Sequence, residues 1–202
     1  YLFWPDSPDP QALKNLRTLL TRLRHALPDA GHFIQVTTQA IEWRLDAPFT
    51  LDVNEFEIIL AQKAAAQEAG DEAGEIKELE SAVELSAGEL LPDCYDDWIL
   101  PKREQFHQAC RETLERLVLL LEQHREYGRA LPYARRLLNH DPLHEAAYHH
   151  LIRLHLALGN RMEALRVCHD CDTMLKQEFG DISKRATQNQ YAHLLEVESP
   201  PI

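Results

Sequence analysis

Between residues 9 and 27, Leu13, Leu16, Leu20, Leu23 and Leu27 recur at steps of three and four, drawing one stripe at helical period among polar and basic residues. The spacing predicts a helix from about Asp9 to Leu27, ended by Pro28 and Gly31. Residues 1–8 read as the apolar tail of one element followed by a turn. After the helix the pattern changes period. Phe33-Ile34-Gln35-Val36-Thr37 and Ile41-Glu42-Trp43-Arg44-Leu45 are short, rich in β-branched and aromatic residues, and separated by a polar turn, which predicts a hairpin. Helical period returns at Asp52, a capping residue. One helix is predicted to about Ala69, marked by Phe56, Ile59, Leu60 and Lys63, and another over 73–86 through Ile76, Leu79 and Val83, with a loop at 70–74. Beyond Asp97 nothing reads as a strand, and segments 103–127, 129–140, 142–158, 160–179 and 183–196 all read as helices.

The helical part repeats itself. Leu114, Leu117, Leu120, Ala130 and Leu131 return 34 residues later as Tyr148, Leu151, Leu154, Ala164 and Leu165. That is the period of tetratricopeptide helix pairs, in which bulky residues on the first helix and a small one at the crossing let stacked copies bury faces that one pair cannot. Ala130 and Ala164 are the small residues. Gly128 and Gly159 read as the turns inside each copy, and Asp141-Pro142 as an N-cap with proline at the first helical position. The expected fold class is mainly α, a TPR-like α-solenoid behind an N-terminal part that carries a β-hairpin, with the boundary between Pro48 and Asp52.

Composition narrows the function. The chain has 202 residues and a net charge of −12, with no run near the roughly 18 apolar residues of a membrane helix and no charged-apolar leader, so it reads as soluble and cytoplasmic, with no membrane partner. It begins with tyrosine, which reads as a piece of a longer protein. Its four cysteines are too few and too irregular for a disulfide framework and are expected as thiols. The acidity is uneven. Residues 1–50 balance five basic against five acidic groups, and residues 11–28 hold four basic groups and no acid. Such asymmetry permits a local polyanion contact on a chain that would otherwise repel one.

Gly88-Glu89-Leu90-Leu91-Pro92-Asp93, then Tyr95-Asp96-Asp97-Trp98 and Arg103-Glu104, resembles the opening motif of the bacterial transcriptional activator domain (BTAD) of antibiotic-regulatory-protein-type (SARP) regulators. Ala134-Arg135-Arg136-Leu137-Leu138 leading to Asp141-Pro142-Leu143-His144-Glu145, Leu158-Gly159 with Glu163-Ala164-Leu165, and Leu175 with Glu178-Phe179-Gly180 follow in that family's order. Ser183 departs from its usual proline. The first 50 residues are similar to the second half of the winged helix that precedes this module, with Leu2-Phe3-Trp4 at the turn into the recognition helix and Asn15-Leu16-Arg17 and Arg22-Leu23-Arg24 on it. The leading strands and first helix of a winged helix are missing, and Glu42-Trp43 stands where a glycine-tyrosine pair is usual. The resemblance implies a truncated winged-helix DNA-binding domain at 1–50 and a BTAD of TPR-like repeats at 51–202. It implies a DNA-binding activator whose helical part contacts a second protomer or RNA polymerase.

At about 100° per residue, Lys14, Arg17, Thr18, Thr21 and His25 point away from the leucine stripe, and Arg22 and Arg24 flank its opposite edges. Arginine, threonine and histidine on one face can contact phosphates and base edges. The candidate DNA-binding set is Arg17, Thr21, Arg22, Arg24 and His25, with Thr37 and Thr38 at the wing. The resemblance matches Arg22 and Arg24 to DNA-contacting positions. An ordinary solvated helix face is the alternative, and with it an interaction module of a larger signalling protein that does not touch DNA.

Other candidates are weaker. Cys168 and Cys171 form a C-x-x-C step with no second pair to complete a zinc site, and the repeat aligns them with Ala134 and Leu137, packing positions. His144, Glu145 and His149 fail the His-Glu-x-x-His spacing of zinc proteases, because five steps turn the second imidazole away from the first. His149, His150 and His155 read as ordinary helix surface or as a pH-sensitive surface cluster. Asp71-Glu72 and Asp96-Asp97 read as capping and loop residues. Neither a phosphate-binding glycine loop nor a catalytic constellation is present, so no enzyme activity, metal or cofactor is expected.

Overall fold

The computed structural model describes residue 4 and residues 6–37, 41–44 and 46–179. The predicted turn at Leu2-Phe3, Thr38 and the predicted helix over 183–196 lie outside the described residues. The chain divides into two compact units, Tyr1–Leu51 and Asp52–Ile202.

In the first unit, α1 spans Asp9–Ala26, entered through Pro8 and Pro10 and closed by the Leu27 amide on the Leu23 carbonyl at 2.9 Å. A proline in the first turn costs no hydrogen bond, because those amides have no partner within the helix. A one-turn helix follows at once, α2 at Ala30–Phe33, so Gly31 lies inside a helix and does not end one. Asp29 makes the bend between them with φ 54°, a left-handed conformation that aspartate tolerates better than most residues. The hairpin pairs β1 (Ile34–Val36) antiparallel with β2 (Ile41–Trp43), Ile34 opposite Trp43 and Val36 opposite Ile41. Trp43 packs its ring against Phe49, centroids 5.2 Å apart.

The leucine stripe of α1 is only partly covered, with Leu16, Leu20 and Leu27 half-buried. No residue of α1 is buried, and Leu13 and Leu23 are 53% and 39% exposed. The helix has the right period, but a four-residue helix and a two-stranded hairpin offer too little apolar surface to cover five leucines.

The second unit is a run of helices: α3 (Asp52–Ala69), α4 (Glu72–Leu85), α5 (Leu100–Gln123), α6 (Tyr127–His140), α7 (Glu145–Ala157) and α8 (Arg161–Phe179), with a 3-10 turn at Asp97–Ile99 ahead of α5. Each packs on its neighbour in sequence, and α5 also meets α7. This nearest-neighbour packing defines a solenoid. One apolar cluster runs through α4 to α8, with Leu79, Leu117, Leu120, Leu137, Ile152 and Leu154 fully buried. The repeat residues Ala130 and Ala164 are both buried completely. A smaller cluster holds α3, where Phe56 meets Phe106 at 5.1 Å beside Ala82 and Cys110.

The three helical hairpins α3–α4, α5–α6 and α7–α8 turn in the same way. Gly70, Arg125 and Gly159 take φ of 70°, 59° and 76°. Their amides reach Gln67, Glu122 and Leu156, and the next amides, Asp71, Glu126 and Asn160, reach back to Ala66, Leu121 and His155 at 2.8–3.0 Å. This is the Schellman closure, which satisfies carbonyls left open at a helix end. Arg125, not Gly128, is therefore the turn residue of the first repeat. Gly128 sits in the first turn of α6.

Two further expectations change. Asp141 does not cap α7, which begins at Glu145. Its carboxylate accepts from the Leu143 amide at 3.1 Å and pairs with Arg111 at 3.1 Å, holding a turn between α6 and α7. His150 and His155 are buried, not surface residues, at 4% and 2% exposure. The repeat aligns His155 with Leu121, a core position, and its Nδ1 has no partner among the described residues. Cys168 and Cys171 are buried in the apolar cluster, where the repeat places them.

Candidate nucleic-acid interface and the helical array

On α1, Arg17, Thr21, Arg22, Arg24 and His25 are all exposed, as is Lys14. None of Lys14, Arg17, Arg22, Arg24 and His25 makes a side-chain hydrogen bond or ion pair among the described residues. From Arg17 to Arg24 the helix advances about 10 Å, room for several contacts along one groove. Thr21 differs from the rest. Its hydroxyl donates to the Arg17 carbonyl at 2.9 Å, as Thr18 donates to Lys14 at 3.0 Å, so the only hydroxyl proton of each is committed to its own helix and the oxygens remain as acceptors. Thr37 is exposed at the end of β1. The structure thus places the five α1 residues on one element, and Thr37 beside the hairpin turn.

The second unit carries the charge. Residues 52–97 hold fourteen acidic and two basic residues, and the rest of the chain is balanced, so the net −12 of the molecule resides in α3, α4 and the segment after them. Asp52, Glu57, Glu68, Asp71, Glu72 and Glu84 are among its exposed acids. Asp71 also caps α4, accepting from the Gly74 amide at 2.9 Å.

The connection from α4 to α5 is organised by Arg103. Its Nε donates to the Leu90 carbonyl at 2.8 Å, and its Nη2 to Cys94 at 2.8 Å and to Leu91, while Glu89 pairs with it at 3.4 Å. Three carbonyls are gathered on one guanidinium, which fixes residues 89–94 around Leu91 at φ 48°. The sequence contains this arginine in its motif, but nothing in the spacing reveals that it binds backbone.

Charged side chains also lock helix to helix. Glu75, with its side chain 2% exposed, receives a bidentate pair from Arg116 at 2.8 Å and 2.8 Å, joining α4 to α5. The Arg116 hydrogen bond outweighs burial and holds the Glu75 carboxyl below the usual carboxylate range. Burial opposes ionisation of Glu122, yet its hydrogen bonding with His150 and Arg153 lowers its carboxyl too. Arg129 and Tyr133 both reach Glu80 across α4 and α6. Among the described residues no group of three or more histidine, cysteine or acidic side chains could hold a metal ion, and no helix is long and apolar enough to cross a membrane.

Among solved structures, the C-terminal TPR-containing domain of a Plasmodium falciparum protein named as an FK506-binding protein has 16% identity and a TM-score of 0.48, over 72% of this chain and 91% of that one. The TPR2B domain of yeast Sti1, in its complex with pHsp70, has 12% identity and a TM-score of 0.42, over 70% and 97%. No curated protein sequence matches the chain. The bacterial transcriptional activator domain model matches residues 51–195, most of the chain, and the protein belongs to that family.

Proposed function

We propose that the protein is a DNA-binding transcriptional regulator of activator type, in which residues 1–50 are the C-terminal part of a winged helix and residues 51–202 form the activator domain. The observation that carries this reading is the acid-free face of α1, whose cations are exposed and engaged with nothing else among the described residues. Arg17, Arg22, Arg24 and His25 contact DNA in this reading, with Thr21 accepting hydrogen bonds, and Thr37 and Thr38 lie near a phosphate. The helical array contacts a protein, such as a second protomer or RNA polymerase. The family supports a regulatory role, and no catalytic activity is proposed.

A second reading is favoured by the uncovered leucines of α1 and by the acidity of residues 52–97: an interaction module that does not bind DNA. Fluorescence anisotropy with duplex DNA over a salt series separates the two. The regulator reading expects weak binding with a log–log salt slope of about −3, since each cation that neutralises a phosphate contributes about 0.9. Arg22→Ala and Arg24→Ala each flatten the slope by about 1. Absence of binding, or a slope indifferent to both substitutions, supports the interaction module.

A further inference from the structure

We propose that the cavity between the turn after α4 and helices α5 and α6 binds a small organic oxyanion, held by Arg136 and by the paired imidazoles of His107 and His140. The cavity has a volume of about 290 Å³. That is near the lower end of the sizes that hold small ligands. Ser86, Ala87 and Gly88 form one wall, and Phe106 supplies an apolar surface beside the charged groups. The remaining space at Gly88 is open, with no atom within 4 Å of a side chain placed there.

The electrostatics of this cavity run against those of the sequence around it. His107 on α5 and His140 at the end of α6 stack with centroids 4.9 Å apart. Arg136 donates from Nη2 to the Ser86 carbonyl at 2.7 Å and to the Ser86 hydroxyl at 3.5 Å, which anchors its guanidinium at the wall and leaves Nε and Nη1 without a hydrogen bond among the described residues. Glu89 also lines the cavity and pairs with Arg103 at 3.4 Å, and Asp141, next to His140, pairs with Arg111 at 3.1 Å. Cys110, the other titratable group beside Ser86, is held neutral because burial pushes its thiol up.

Burial and then the charges of His107, Arg111 and Arg136 push the His140 imidazole below its ordinary value, against the opposing pull of Asp141. An imidazole suppressed by surrounding cations gains a proton when an anion enters between them. The site therefore takes a phosphoryl or carboxylate group and binds it more tightly as pH falls.

Inorganic phosphate and acetate, titrated separately into the whole chain, are the probes, with the imidazole resonances of His107 and His140 and the Gly88 amide followed by NMR. Saturable shifts at these three positions are expected, and with acetate, whose own charge is constant in this range, binding should tighten about fivefold between about pH 8 and about pH 6 as an imidazole becomes charged. Preference for phosphate assigns a phosphoryl ligand, and preference for acetate a carboxylate. Arg136→Gln should weaken binding about tenfold through loss of a charge-assisted hydrogen bond. Because Arg136 also holds Ser86, the double variant His107→Gln, His140→Gln provides a second arm that keeps that contact and should abolish the pH dependence. No saturable shift with either anion, or shifts unchanged in both variants, overturns the proposal.

Discussion

Arg125 and Gly159, one repeat apart, hold the same left-handed backbone conformation at the ends of α5 and α7, and each is followed by an amide that reaches five residues back. One position is filled by the residue best suited to it and the other is not. A side chain in this conformation costs about 1–2 kcal/mol, which glycine avoids. Arg125→Gly should therefore raise unfolding stability by about 1 kcal/mol, less the added freedom of the unfolded chain. Gly159→Ala should lower it by about 1 kcal/mol, all of it conformational, because a Cβ there meets no atom within 4 Å. Urea unfolding followed by circular dichroism measures both, and equal midpoints for the two variants would contradict the equivalence of the turns.

Arg116→Met leaves the Glu75 carboxylate buried without its partner. The loss should be about 2–3 kcal/mol, below that for a fully buried pair, because the Arg116 side chain is 32% exposed. Since Arg116 lowers the Glu75 carboxyl from 4.5, the stabilisation it provides is complete above that value and disappears as pH falls below it. The gap between parent and variant should narrow under acid, as denaturation midpoints across a pH series would reveal.

Acid should also act earlier, through histidine. Burial lowers the imidazoles of His140, His149 and His155 from 6.5, so the folded protein favours their neutral forms. Stability is then full above 6.5 and declines as pH falls through it, by at most about 1.4 kcal/mol per pH unit for each histidine. Around His155 the charged groups are Arg135 on α6 and Glu163 and Arg166 on α8. His155→Leu, which copies its repeat partner Leu121, should flatten the decline between about pH 7 and about pH 5, and thermal melts across that range provide the check.

Arg103 binds carbonyls in a fork that an ammonium does not reproduce. Arg103→Lys should cost about 2 kcal/mol and raise amide exchange over residues 89–94, the segment gathered on the guanidinium. Unchanged exchange in that segment would mean that the connection is held by other contacts.

Much of the helical array was legible because its signal is local and periodic. The α3 helix matches its predicted bounds and α4 lies one residue earlier than predicted, since Asp52 and Asp71 mark their starts and Ile76, Leu79 and Val83 keep the apolar period. The spacing of the repeat located Ala130, Ala164, Cys168 and Cys171 in the core. What escaped was held by backbone or by distant partners. Gly128 drew attention as a turn residue, yet the hydrogen-bonded closure on Leu121 and Glu122 stabilises Arg125 in the strained position. Glu75 looks like another surface acid until Arg116, 41 residues on, is folded against it. Polar type misplaced His150 and His155, though the alignment of His155 with Leu121 contained the correct answer. On α1 the angular arrangement of the basic residues was readable from the sequence. The commitment of the Thr21 proton to Arg17 was not, because it depends on the rotamer rather than the spacing.

The core of the helical array is unequal along its length. One continuous apolar cluster binds α4 through α8, while α3 rests on a small patch around Phe56. Under mechanical tension or mild denaturant, α3 is then the first layer to peel off, baring Phe106 and Cys110 while the remaining hairpins stay clasped. A thiol-reactive probe on Cys110 would time that detachment.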